Sequence, residues 1–168
     1  MERLGTRTIL ALVGALTLLN LIFRYPTDFG TILGADSTFI QVLANGILAS
    51  DRATWIIHPL SYFGLYAMSY PSGVPFFLAA YAKLGDVPTS AAALFLSLAF
   101  AITGQFCAFM MAREIRAKGP FPLVVAFLFS LAPFFLKETT WVGASRGFVV
   151  ALVPLTFLLA IRHYRFRD

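Results

Sequence analysis

Four apolar stretches, residues 8–23, 90–112, 121–136 and 147–163, leave few folds open to this chain. The first three contain no charged residue at all. A run of this kind, near 20 residues long, crosses a hydrocarbon layer of about 30 Å as a helix. In lipid only a helix or a closed barrel satisfies every backbone group internally. Composition agrees: 59% of residues are hydrophobic and 12% charged, against about 25% charged in soluble domains. Eighteen phenylalanines in 168 residues exceed what a soluble core of this size can hide. The expectation is an all-α polytopic membrane bundle of about four transmembrane helices. Three of the stretches fall slightly short of a full crossing, and flanking Tyr, Trp, Arg and Lys extend them by snorkelling and interfacial anchoring.

Several classes are excluded early. Cys107 is the single cysteine, so no disulfide forms within the chain and no Cys/His zinc spacing exists. The net charge of +5 does not point to nucleic acid, because most bases sit at span ends and no basic patch is interleaved with aromatics. No phosphate-cradling glycine loop, GxSxG, HExxH or dinucleotide fingerprint is present. The N-terminus resembles a signal peptide, with Arg3 and Arg7 ahead of an apolar run. No small-x-small cleavage site follows; Arg24, Tyr25 and Pro26 do, so the run reads as an uncleaved first span.

Orientation follows from the bases. With the N-terminus inside, the inner segments hold eight: Arg3, Arg7, Arg113, Arg116, Lys118, Arg162, Arg165 and Arg167. The outer segments hold five: Arg24, Arg52, Lys83, Lys137 and Arg146. The positive-inside rule then places both termini in the cytoplasm.

The outer loop, residues 24–89, is long for a connection and apolar for a linker. Asp36 caps an expected helix running to about Ser50. Ser37, Gln41 and Asn45 share one face of it; Phe39, Ile40, Leu43 and Ile47 share the other. A second helix is expected from near Pro75 to Leu84, stopped by Gly85. Trp55, Tyr62, Tyr66 and Tyr70 between the two favour an interfacial position over a re-entrant half-span.

Six side chains are candidates for chemistry. Asp36 can take a proton from an acceptor hydroxyl or hold a divalent cation, as well as cap its helix. Glu138, in KETTWVGASR, is a second outer carboxylate or a solvated loop residue. Arg146 and Lys137 suit a lipid-linked phosphate, or snorkel. His58, in IIHPL, can meet phosphate or metal, and Tyr70 shapes the loop that leads to the second helix. No cofactor beyond that divalent cation is implied.

The order of these features resembles a known family. A short first span, the acid in GADSTF, an amphipathic helix and then YPSGVPFFLAAYAKLGD are similar to the N-terminal part of the GT-C superfamily. Its members include dolichyl-phosphate-mannose protein mannosyltransferases and lipid A aminoarabinose transferases. The resemblance spans residues 8–160 and is specific at Asp36 and residues 70–84; Ser72 stands where many members have a second proline. It implies a polyprenyl-phosphate sugar donor, transfer on the extracytoplasmic side, and Asp36 as the catalytic carboxylate, with Glu138 a looser match. GT-C enzymes have many more spans, so the resemblance implies a truncated or partial module.

Two other classes remain open. One is a non-catalytic four-span subunit assembled with a membrane partner, its close contacts made by small residues such as Gly14, Ala15 and Ala91–Ala93. The other is a transporter or flippase fragment, which predicts ionisable groups inside the spans. The spans offer little more than Asn20 and Gln105, and the acids concentrate outside, which favours interfacial chemistry.

Overall fold

The computed structural model describes residues 5–25, 35–50, 73–140 and 145–165. Among the described residues the chain is all helical: α1 (Thr6–Ile22), α2 (Ala35–Ser50), α3 (Gly73–Gly85), α4 (Thr89–Ile115), α5 (Phe121–Ser130), α6 (Pro133–Thr139) and α7 (Ser145–Arg165). Two helices, α4 and α7, are long and apolar enough to cross a membrane, and a third crossing results if α5 and α6 count as one. α1 is equally apolar but has only 17 residues, about 26 Å at 1.5 Å per residue.

The chain divides into two compact units. The first contains α1, α4 from Leu98 onward, α5, α6 and α7 from Arg146. Its contacts define the helix directions. Asn20 meets Ala101 and Gln105, while Thr6 lines a cavity with Arg113, so α1 and α4 are antiparallel. Phe148 packs edge-on against Phe100 at 5.3 Å, and Arg162 reaches Glu114 at 2.7 Å. Both pairs are 48 residues apart, which makes α4 and α7 parallel over 14 residues, roughly 21 Å. The start of α1 and the end of α7 therefore lie at the same end of this unit.

α4 is apolar all round, the pattern of a helix long and apolar enough to cross a membrane. Its protein-facing stripe is small: Ala101, Gly104, Ala108 and Ala112 are all buried. Small residues at three- and four-residue spacing let helices approach closely, which is how membrane helices gain packing. Phe129 and Phe135 lie over this stripe with ring centroids 4.5 Å apart. A Cβ on Gly104 would come within 2.7 Å of Phe135.

The expected continuous helix over residues 121–136 is broken. α5 stops at Ser130, α6 starts at Pro133, and the two are bent by 56°. Pro133 has no N–H to continue the helix, and it pushes Ala132 to an extended ψ of 128°. Apolar continuity hid the break in the sequence. At the other end, Gly119 at φ 74° turns the chain into α5, a conformation that favours glycine.

The second unit contains α2, α3 and α4 through Ser97. α2 buries Ile40, Leu43 and Ala44; α3 buries Leu78, Ala79 and Ala82. Both helices match the sequence expectation within two residues. The polar face of α2 is tied to α4, although Asn45 stays exposed. Ser37 is buried, and Gln41 and Asn45 reach the first residue of α4: Gln41 Nε2 donates to Thr89 Oγ1 at 3.2 Å, and Thr89 Oγ1 donates to Asn45 Oδ1 at 2.9 Å. Asp36 falls inside the first turn of α2 rather than ahead of it. The stop of α3 also shifts by one residue. Asp86, at φ 48°, takes the left-handed position expected of Gly85, and Val87 N–H closes back on Ala82 C=O at 3.1 Å.

Candidate functional site

Thr17, Asn20 and Arg24 follow one another at three- and four-residue spacing, which puts them along one side of α1 and its continuation. In the first unit this side becomes a buried polar cluster. Asn20 Nδ2 donates to Ala101 C=O at 3.2 Å and to Gln105 Oε1 at 2.8 Å. Gln105 Nε2 donates to Thr17 Oγ1 at 2.8 Å, and that hydroxyl donates to Val13 C=O at 2.9 Å. Asn20 and Gln105 are 0% and 1% exposed, so each completes hydrogen bonds the other would otherwise lack.

Arg24 closes the cluster and is itself fully buried. Its Nε donates to Thr139 Oγ1 at 2.8 Å, and one terminal nitrogen donates to the Asn20 backbone carbonyl at 3.2 Å and to Asn20 Oδ1. The other terminal nitrogen donates to Ser130 C=O at 2.9 Å. The guanidinium carbon also lies 4.9 Å from the centre of the Phe135 ring, a favourable cation–π position. The Ser130 carbonyl needs an outside donor because the break before Pro133 removes the helical N–H it would have used. A cation at this place also complements the negative end of the α5 dipole.

Among the described residues no carboxylate pairs with Arg24. Burial lowers its pKa to about 10, which keeps it cationic at neutral pH. Neutral acceptors and a ring face hold the charge. The cluster is enclosed by its own members; only the Ser130 hydroxyl, buried beside them, lacks a partner. Its chemistry is cohesion between α1, α4 and the α5–α6 break.

The six sequence candidates fall into three groups. Asp36 is exposed in the first turn of α2, in the second unit. Lys137, Glu138 and Arg146 come together at one end of the first unit, where α6 ends and α7 begins. The contact there is tight, because a Cβ on Gly147 would lie 2.3 Å from the Glu138 carbonyl oxygen. Glu138 is not a solvated loop residue: it belongs to α6 and is 5% exposed. Lys137 and Arg146 are exposed. His58 and Tyr70 lie outside the described residues. Among the described residues no group of three or more His, Cys, Asp or Glu side chains can hold a metal ion.

Sequence reasoning treated Arg24 as an outer base and Asn20 and Gln105 as isolated polar residues. The spacing of Thr17, Asn20 and Arg24 was the available signal, since three polar groups along one side of an otherwise apolar helix need a common partner. Thr139 and Ser130 carried no signal of their own, because their role depends on the break at Pro133. Comparison with protein-family models, with curated proteins and with solved structures finds no match to this chain.

Proposed function

We propose that this chain is a glycosyltransferase module of the GT-C type, moving a sugar from a polyprenyl-phosphate donor to an acceptor outside the cytoplasm. In this reading α1, α4, the α5–α6 pair and α7 are four crossings, α2 and α3 lie at the interface, and both termini are cytoplasmic. The basic end formed by Arg7, Arg113, Arg116, Lys118, Arg162 and Arg165 supports that orientation.

The observation that carries the reading is Asp36, an exposed carboxylate in the first turn of a helix anchored to α3 and to the start of α4. Asp36 accepts the proton of an acceptor hydroxyl as that oxygen bonds to the anomeric carbon. The bond from this carbon to the phosphate oxygen breaks, and the polyprenyl phosphate leaves with the electron pair. In the first unit Arg146 and Lys137, beside Glu138, carry the cationic chemistry that suits a lipid-linked phosphate.

The test uses the full chain in membranes supplied with a polyprenyl-phosphate sugar. Asp36→Asn lowers transfer by about 10²–10⁴-fold, the usual contribution of a general base, while the protein accumulates normally. Unchanged transfer by Asp36→Asn overturns the assignment.

One observation favours a second reading. The polar residues of the spans are enclosed and bonded to one another, as in helices held together for assembly. A non-catalytic membrane subunit would use the cluster in the same way and would work equally well with Asn at position 36. A transport pathway has less support, because these groups face each other rather than an open route.

A further inference from the structure

We propose that the first unit binds one anionic phospholipid in the groove between α1, α4 and α5, with its phosphate at Arg113 and an acyl chain along the apolar walls. The groove encloses about 290 Å³, near the lower end of the ~300–1,000 Å³ range of ligand pockets. Leu10 and Val13 of α1, Phe106 and Phe109 of α4, and Leu123 of α5 form its walls, with Arg113 at one end. Leu10 and Phe106 are 66% and 44% exposed, so the groove opens sideways to an apolar surface rather than inward. That shape fits a chain entering from the bilayer.

Charge complementarity identifies the headgroup. Glu114 is the only acid among the described residues at this end of the unit, and it is already engaged by Arg162 at 2.7 Å and Arg165 at 3.3 Å. Arg113 is exposed and makes no ion pair or hydrogen bond among the described residues. Arg7, Arg116 and Lys118 are exposed at the same end and also have no acid partner among the described residues. The site thus joins an apolar groove to an excess of positive charge in the headgroup layer. A phosphodiester meets the Arg113 guanidinium in bidentate geometry, and with no choline cation to compete for that phosphate an anionic headgroup is favoured over a zwitterionic one. This inference requires membrane insertion alone, and it stands whether or not the chain transfers a sugar.

The test is native mass spectrometry of the detergent-purified full chain, titrated with phosphatidylglycerol and phosphatidylcholine of identical acyl chains. One phosphatidylglycerol is retained about fivefold more strongly, the preference expected from one basic residue at an anionic headgroup. Arg113→Gln removes the preference and Arg113→Lys keeps most of it. Val13→Trp, which fills the groove, lowers retention of both lipids. Lys83→Gln, in the other unit, changes neither. Equal retention of the two lipids by the unaltered protein overturns the proposal, and so does an undiminished preference in Arg113→Gln. Displacement of phosphatidylglycerol by equimolar polyprenyl phosphate would assign the groove to the sugar donor instead. A lipid-free dimer would assign it to a second copy of the chain.

Discussion

Replacing Arg24 by alanine removes the one side chain that joins α1 to both sides of the α5–α6 break. Its guanidinium makes four hydrogen bonds, to Thr139, to two oxygens of Asn20 and to the Ser130 carbonyl. Bonds from a charged donor contribute about 1.5–3 kcal/mol each. Against them stands the cost of burying the charge. Burial lowers the Arg24 pKa to about 10, the mark of that desolvation. Alanine recovers that cost, but it leaves the Ser130 carbonyl without a donor in a buried place and opens a cavity above Phe135. Truncating one member of a buried charged network costs about 3–5 kcal/mol, and a net loss of about 3 kcal/mol is expected here. For a chain of this size it lowers the melting temperature by roughly 6–12 °C. Cys107, the single cysteine, is partly buried on α4. The reaction of its thiol with a fluorogenic maleimide on heating therefore reports unfolding of the same unit without an introduced probe. A double-mutant cycle with Thr139→Val isolates the Arg24–Thr139 bond, with an expected coupling of about 1.5–3 kcal/mol. If Arg24→Ala melts within 2 °C of the unaltered protein, the cluster does not hold the break in place and this account of it fails.

Three other substitutions address separate contacts. Gly147→Ala gains about 1 kcal/mol of helix propensity, yet its Cβ meets the Glu138 carbonyl oxygen at 2.3 Å. A net loss of about 1–3 kcal/mol is expected, read in the same thiol assay, and an alanine variant as stable as glycine would refute the close approach. Glu114→Gln releases Arg162 and Arg165, which are 43% and 60% exposed. The loss should be small and should shrink in high salt. Thr89→Val removes the hydroxyl that links Gln41 and Asn45 to the start of α4. Hydrogen exchange should rise by about 5- to 150-fold across residues 35–50, as expected for about 1–3 kcal/mol of lost bonding, while the amides around Cys107 stay protected; uniform protection would refute the link.

The parts of the fold legible in the sequence are those set by local chemistry. The apolar runs of α4 and α7, the prolines opening α3 and α5, and the polar breaks between helices place most ends within a few residues. The misses share a cause. Pro133 sits in a run so apolar that the bend it causes was invisible to hydropathy. Gln41 and Asn45 read as one face of a helix, and their partner Thr89, more than 40 residues away, carries no local signal. Arg24 reads as a topological signal because the carbonyl it satisfies exists only once α5 has ended. Glu138 reads as loop because KETT follows a span, yet α6 carries it into a buried position. For the proposed chemistry, the sequence alone could select Asp36 as a carboxylate outside a span. Which side chains approach it is decided by contacts that no local pattern encodes.

The position of Arg24 also sets an order of events during synthesis. α1 is made first, but the acceptors of its terminal cation at Thr139 and Ser130 are 115 and 106 residues further along the chain. Until α5 and α6 arrive, the guanidinium has no partner in the cluster beyond Asn20. Its full hydrogen bonding is reached only when the broken helix offers a bare carbonyl to receive the charge. Closing the cluster is a late step that registers the first helix against the fifth and sixth, and a chain interrupted before Ser130 would leave that step undone.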